Sequence, residues 1–395
     1  MNGAPGLAHE LDYIVLLFAL FVVPRGLQRY RVPGAITSVA LGVLAGLGLG
    51  LFRRDPTIHL LATLGIVALF LFAGLEVEFR ELRAEAVVLA QHVAIRVVAL
   101  AGVAAAVGAV FGLAVRPAVL VALALLTPSA GFIFDALTTL GVTDRERFWI
   151  RSKVIATELL ALAVLFVTLQ STTVGRLALS TVVLIGLIAL LPVVFRLFAR
   201  WVAPFAPKSE FAFLLMVAVL AAFTTLRLGV YYLVGAFVVG VTAQRFRERL
   251  PAIASEQMLH AVEVFASFFI PFYFFNAGLQ LRGADFEPAA LLAGAAFFAT
   301  MLPLRIALVA VHRRLVLGET VLHGVRIAIP MLPTLVFTLV IAAILRDRFA
   351  VAPPLFGGLI IYAVATTLLP GLALHLPPPA FESPRAPELE VGAED

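Results

Sequence analysis

Glu158, Arg305, Asp135 and Arg96 are ionisable residues that stand where the surrounding sequence offers little water. Glu158 is central in the apolar run 149–170, within Ser152-Lys153-Val154-Ile155-Ala156-Thr157-Glu158-Leu159-Leu160. Arg305 follows Thr300-Met301-Leu302-Pro303-Leu304 in the run 288–311. Asp135 lies in the second half of the run 118–140, and Arg96, with Gln91 and His92, in 86–114. A charge at bilayer depth costs several kcal/mol or more, so such groups face the protein interior and find a partner or a water path. The chemistry open to an acid there is ion exchange, since a carboxylate holds either a proton or a partly dehydrated cation. The competing reading is a structural ion pair that fixes helix register, but buried pairs seldom add net stability over apolar packing. The functional reading is preferred for Glu158 and Arg305, the two readings are level for Asp135, and a plain polar stripe on one helical face is preferred for Arg96 and His92.

Two segments look built to position such groups. One run contains Leu126-Thr127-Pro128-Ser129-Ala130-Gly131 at its middle, and the run 320–345 contains Ile329-Pro330-Met331-Leu332-Pro333-Thr334. Proline removes an N–H donor and clashes with the preceding turn, so Pro128, Pro330 and Pro333 mark helix breaks. An ordinary proline kink explains one such segment. Two of them, seven spans apart and therefore oppositely oriented, point instead to a transporter site built on inverted repeats. Half-helix ends carry partial charges, and Thr127, Ser129 and Thr334, with freed carbonyls, supply oxygen near the crossing. Asp135 follows Pro128 by about 10 Å along the axis, where it would line a funnel that attracts cations.

The composition supplies the setting. The 395 residues are 62% hydrophobic and only 13% charged, with a mean hydropathy of +1.06, whereas a soluble domain carries about 25% charged residues. Thirteen segments are apolar enough to span a bilayer, approximately 9–24, 32–52, 58–76, 86–114, 118–140, 149–170, 174–199, 210–226, 229–244, 258–280, 288–311, 320–345 and 353–374. The expected fold is an all-α polytopic membrane protein of about 13 transmembrane helices. The net charge of +5 comes from arginines between apolar runs, which read as topology signals rather than as a nucleic-acid surface. One set of alternating loops is richer in them (Arg25, Arg29, Arg31; Arg80, Arg83; Arg145, Arg147; Arg200, Lys208; Arg245, Arg247, Arg249; Arg313, Arg314). That set is expected to be cytoplasmic, placing the N-terminus outside and the C-terminus inside. The run 11–23 lacks a basic segment before it and a small-residue cleavage site after it, so it reads as a retained span. Residues 1–375 form one transmembrane domain, and the Pro-rich then acidic stretch 376–395 is expected to be a disordered cytoplasmic tail. Without cysteines, disulfides, thiolate metal sites and cysteine nucleophiles are excluded.

Five stretches, in order, carry a family resemblance. They are Arg31-Val32-Pro33-Gly34 with Gly42 and Gly46; Leu64-Gly65-Ile66 through Phe72-Ala73-Gly74-Leu75-Glu76; Thr127-Pro128-Ser129; Ser209-Glu210-Phe211 with Leu228-Gly229 and Val234-Gly235-Ala236-Phe237-Val238-Val239-Gly240; and Phe268-Phe269-Ile270-Pro271-Phe272 with Gly278-Leu279. Over about residues 11–374 the chain resembles the monovalent cation/proton antiporter superfamily, nearest to its Kef-type branch and without that branch's soluble nucleotide-binding domain. Two positions depart from the family. Thr157-Glu158 stands where it places Asp-Asp or Asn-Asp, and Pro333-Thr334-Leu335 where Kef-type members carry Gly-Glu-Phe. The family's basic residue on the preceding helix is matched by Arg305.

The resemblance implies secondary exchange of Na⁺ or K⁺ for H⁺ across the inner membrane by a homodimer, with no cofactor and no metal beyond the transported monovalent cation. The two ions would compete for Glu158, with Thr157, Asp135, Thr127 and Ser129 as further ion-binding candidates and Arg305 compensating charge. Rival readings are a cation channel or a non-transporting sensor on the same scaffold, and an organic-anion/sodium symporter of related fold, for which Asn276 is the main polar candidate. An enzyme is not expected: Asp135 lacks the Gly-x-Gly-Asp setting of a membrane aspartyl protease, and there is no His-Glu-x-x-His. Gly46-Leu47-Gly48-Leu49-Gly50 mimics a nucleotide loop, but small-residue helix packing explains it better.

Overall fold

The computed structural model describes residues 5–77, 86–130, 133, 143–206, 209–247 and 256–373. Among these the chain is helical throughout, as the hydropathy requires. In lipid every backbone polar group must be satisfied within the segment or by the protein. In order the helices are α1 (Pro5–Gln28), α2 (Gly34–Val43, continued by a π turn Leu44–Gly48), α3 (Pro56–Leu75), α4 (Ala86–Phe111), α5 (Val115–Leu126), α6 (Asp144–Gln170) and α7 (Val174–Trp201). There follow α8 (Glu210–Arg227), α9 (Tyr232–Arg247), α10 (Glu256–Leu279), α11 (Pro288–Leu317), α12 (Val321–Ala328), α13 (Leu335–Phe349) and α14 (Pro353–Ala373).

Local sequence sets several boundaries. Asp55 caps α3 by accepting from the N–H groups of Thr57 and Ile58, with Pro56 at the first helical position. Thr143 and Glu146 form a reciprocal capping box at the start of α6, satisfying donors that a helix leaves open. At the far end of α6, the Arg116 guanidinium donates to the carbonyls of Thr168 and Leu169, where a cation also meets the negative end of the helix dipole. Each hydropathy segment falls on a described helix or a divided pair, except that 131–132 and 134–142, within the segment 118–140, are outside the described residues. Eight described helices are long and apolar enough to cross a membrane, nine if the bent pair α12–α13 counts as one span, and three further apolar helices are shorter. The expected thirteen therefore exceeds what helix length alone supports.

The helices sort into two packed groups. α2 and α3 lie against α10, and α3 also against α9, which pairs with α8. The second group joins α4, α5 and α6 with α11, α13 and α14. Only 11% of the most apolar stretch of α7 is buried, so this helix gives nearly all of its surface to the surroundings. Close approach in the first group depends on glycines. A Cβ on Gly74 would meet the backbone of Phe237, Gly240 and Val241, and one on Gly240 would meet the backbone of Leu71, Gly74 and Leu75. The crossing of α3 and α9 is thus built without side chains on either side, as expected of small-residue contacts in lipid.

Gly240→Leu should lower the thermal midpoint of the detergent-solubilised protein, since overpacking a filled contact costs about 1–3 kcal/mol. Gly102→Leu, on α4, where a Cβ meets nothing within 4 Å, should leave it nearly unchanged. Thermal-shift measurements on the two variants separate these outcomes.

Candidate functional site

The two breaks meet. α5 ends at Leu126, and Thr127 turns the chain out of the helix with ψ 120°. α12 passes into a 3₁₀ turn over Ile329–Met331, and the path from there into α13 bends by 56°. The Ser129 N–H donates to the Pro333 carbonyl at 2.9 Å. The Ser129 Oγ accepts from the Val336 N–H at 3.1 Å. The Thr338 hydroxyl donates to the Ala124 carbonyl at 2.8 Å. Groups orphaned by one break are therefore satisfied by the other. Thr127, Ser129, Thr334 and Thr338 are all buried.

The carbonyl-bearing ends of the first half-helices are held by buried cations. Arg305, on α11, donates to Met331 O at 2.8 Å and Leu332 O at 2.7 Å. Arg96, on α4, reaches Leu126 O at 3.4 Å. The Tyr362 hydroxyl, on α14, accepts from Arg305 at 3.1 Å and donates to Leu125 O at 2.8 Å, linking both ends. Orphan carbonyls at a helix C-terminus need donors, and guanidinium supplies several in a fixed plane without ever losing its proton.

The N–H end of the first break meets the acid. Ala130 N–H donates to Glu158 Oε1 at 2.7 Å, and Glu158 is 5% exposed. Among the described residues the corresponding place beside the second break holds no acid: Thr334 Oγ1 lies 3.2 Å from Thr366 Oγ1 of α14. Each break thus has an arginine on the helix before it and a polar side chain on the helix after it. That is the arrangement of inverted repeats with two crossing broken helices, and among the described residues one repeat places a carboxylate there.

The structure brings some of the sequence candidates together and leaves others apart. Glu158, Ser129 and Arg305 converge on the crossing, with Pro128, Pro330 and Pro333 at the breaks. Arg305 engages carbonyls rather than the Glu158 carboxylate. Thr157 is tied up: its hydroxyl donates to Lys153 O at 2.7 Å, so its oxygen accepts from His92 Nε2 at 3.0 Å. Asp135 lies outside the described residues. Arg96 is not the member of an idle polar stripe; it caps a broken helix. The signal for it was its place one helix before the first break, as Arg305 is one helix before the second. Asn276 instead lines a funnel of about 760 Å³ bordered by His59, Gln280 and Arg346. A narrower space of about 70 Å³, sharing His59 and Asn276 with it, is also lined by Thr63, Tyr273 and Val340.

A model of the family described as sodium/hydrogen exchanger, transmembrane, matches residues 14–377. The probable Na(+)/H(+) antiporter 3 of Methanocaldococcus jannaschii is 26% identical over 280 residues, covering 68% of this chain and 70% of that protein. The Na(+)/H(+) antiporter NhaS5 of Synechocystis is 26% identical over 292 residues, covering 69% of this chain and 39% of its own greater length. The solved structure of the sodium proton antiporter MjNhaP1 from M. jannaschii, at pH 8, has a TM-score of 0.64 at 12% identity, covering 92% of this chain and 95% of that one. That likeness establishes the shared fold.

Tyr362→Phe leaves the Leu125 carbonyl without its donor in a dry site. The expected loss is about 1–3 kcal/mol of stability, read as a lower thermal midpoint, whereas a water-filled crossing would leave the midpoint unmoved.

Proposed function

Because the chain belongs to the transmembrane sodium/hydrogen exchanger family, we propose that it is a secondary antiporter exchanging Na⁺ or K⁺ for H⁺, with both ions competing for Glu158. One observation carries this reading: the buried Glu158 carboxylate is held by a peptide N–H, while the arginines at the crossing donate to carbonyls. An ionised carboxylate offers about four acceptor sites, and Ala130 uses one. A dehydrated cation or a proton can use what remains.

The residues divide the work. Arg305 and Arg96 hold the negative half-helix ends, so those ends persist whether the acid is loaded or empty. Ser129 locks one break against the other, and the Thr127 oxygens lie two residues before it. Thr157 acts as an anchor between His92 and α6 rather than as a ligand. Asp135 attracts cations toward the acid. The exchange makes no covalent bond: a cation displaces the Glu158 proton, and rigid movement of one helix group against the other carries the loaded acid between the two sides. If Glu158 is the one carboxylate that exchanges its proton, transport is one-for-one and electroneutral; titration of Asp135 during the cycle would break that stoichiometry.

The same proposal puts the protein in the inner membrane with its arginine-rich loops cytoplasmic and its N-terminus outside, and on that orientation the funnel beside Asn276 opens outward. A homodimer belongs to the same proposal, and the largely uncovered α7 is consistent with a surface that meets lipid or a second copy. The reading is tested in proteoliposomes by following lumenal pH after additions of Na⁺, K⁺ or Li⁺. Wild type should move protons with at least one of them, and Glu158→Gln should fall to the level of protein-free vesicles. Asp135→Asn should raise the cation concentration for half-maximal exchange several-fold while sparing the maximal rate. Undiminished exchange in Glu158→Gln would remove the proposed site, and currents without proton movement would favour a channel.

A further inference from the structure

One buried group takes no part in the exchange described above. Lys153 lies on α6, five residues before Glu158, and is 1% exposed. Its Nζ is 3.1 Å from Nδ1 of His312, which is on α11 and also buried. The geometry permits one shared proton at that contact. Either an ammonium donates to the bare imidazole nitrogen, or an imidazole N–H donates to a neutral amine. A further proton would set two donors, both charged, against each other.

The surroundings do not hold a fixed charge on Lys153. From α4 it faces His92, whose ring is 6.1 Å from that of His312, and Arg96. From α11 it faces His312 and Arg313. Glu319, the acid near it, is engaged bidentately by Arg313 at 2.7 and 2.8 Å. From its own helix it faces the Trp149 ring at 5.8 Å. His312 Nε2 is buried without a hydrogen-bond partner, and His312 also lines a mostly apolar groove between α4 and α11, with Gln91 as the other polar side chain there. Arginine cannot serve as a proton donor at working pH, whereas a buried lysine can lose its proton.

We propose that Lys153 and His312 form a second proton-binding site whose charge sets the cation affinity of Glu158. This rests on the reading of Glu158 as the exchanging acid. When the pair releases its proton to water, one proton and one positive charge leave, the amine and imidazole remain neutral, and no bond other than N–H changes. The pair sits about 7.5 Å along the helix axis from Glu158. A unit charge on the order of 10 Å from a bound cation, in a medium of effective dielectric about 20, changes its affinity roughly tenfold. Linkage makes the effect reciprocal: cation bound at an ionised Glu158 favours proton loss from the pair.

The test compares wild type with Lys153→Arg, which keeps the charge at every pH, and Lys153→Met, which carries none. Na⁺-dependent thermal stabilisation of the purified full chain, titrated across pH, gives the affinities. At alkaline pH wild type should match the Met variant, with the Arg variant about tenfold weaker. As pH falls, wild type should move toward the Arg variant. Wild-type and Arg curves that coincide at every pH would overturn the pair and leave Lys153 a structural charge. If the Arg variant does not fold, His312→Ala should displace the pH at which wild-type affinity changes, and an undisplaced transition overturns the proposal equally. Na⁺ binding that survives in Glu158→Gln is a different result: it overturns the underlying reading of the acid, and this proposal with it.

Discussion

Everything at the centre of this molecule follows from backbone groups that two interrupted helices leave open in a dry place. A continuous helix in lipid satisfies its own N–H and C=O groups. Breaking it at Pro128, and again at Pro330 and Pro333, creates two carbonyl ends and two N–H ends with no water to serve them. Unpaired buried polar groups cost about 1–3 kcal/mol each, so breaks of this kind persist only where partners are arranged. Here some partners come from the opposite break, through Ser129, Pro333 and Val336. The rest come from neighbouring helices, through Arg96, Arg305, Tyr362 and Glu158. Arg305 is therefore first a helix cap.

The two repeats are matched in plan and unequal in chemistry, and the inequality is where function enters. Arginine serves the carbonyl end in both, but Glu158 stands after the first break where Thr366 stands after the second. Two acids at those places would repel across the crossing and raise the cost of emptying the site. One acid and one hydroxyl make the two places unequal in their attraction for positive charge, and Glu76, just past the end of α3, adds its charge on the side of Glu158. Glutamate in place of the family's aspartate extends the carboxylate by a methylene, and in this chain that reach is used: Oε1 meets the first N–H after Ser129, at Ala130.

Much of this was legible in the sequence because the signals were of the kind sequence carries well. Proline in the middle of an apolar run, a charge with no polar neighbours, and the same pattern seven spans later all report on backbone satisfaction. Arg96 was passed over because His92 and Gln91 give it the look of a hydrophilic face. Its role depends on whether its guanidinium reaches Leu126, which spacing alone does not tell. Tyr362 and Thr366 were hidden for a related reason. A hydroxyl in an apolar span is cheap when it bonds to its own helix, so only geometry separates such a residue from one that bridges two helices. Helix length and bounds were the least legible quantities: α2 with its π turn covers only Gly34–Gly48 of the segment 32–52, and α9 is displaced by three residues from 229–244.

The distinction between arginine and lysine organises the charges around the acid. The groups that must keep a constant charge, because backbone carbonyls depend on them, are guanidiniums that hold their proton at any working pH. Among the described residues lysine appears once, at Lys153, and it contacts an imidazole instead of a carbonyl. A structural cap at that place would be served as well by arginine, and a packing residue better by leucine. Placing a titratable amine a turn and a half from Glu158, against a histidine that can share its proton, separates the charges that maintain the fold from those that are free to change with the ions it handles.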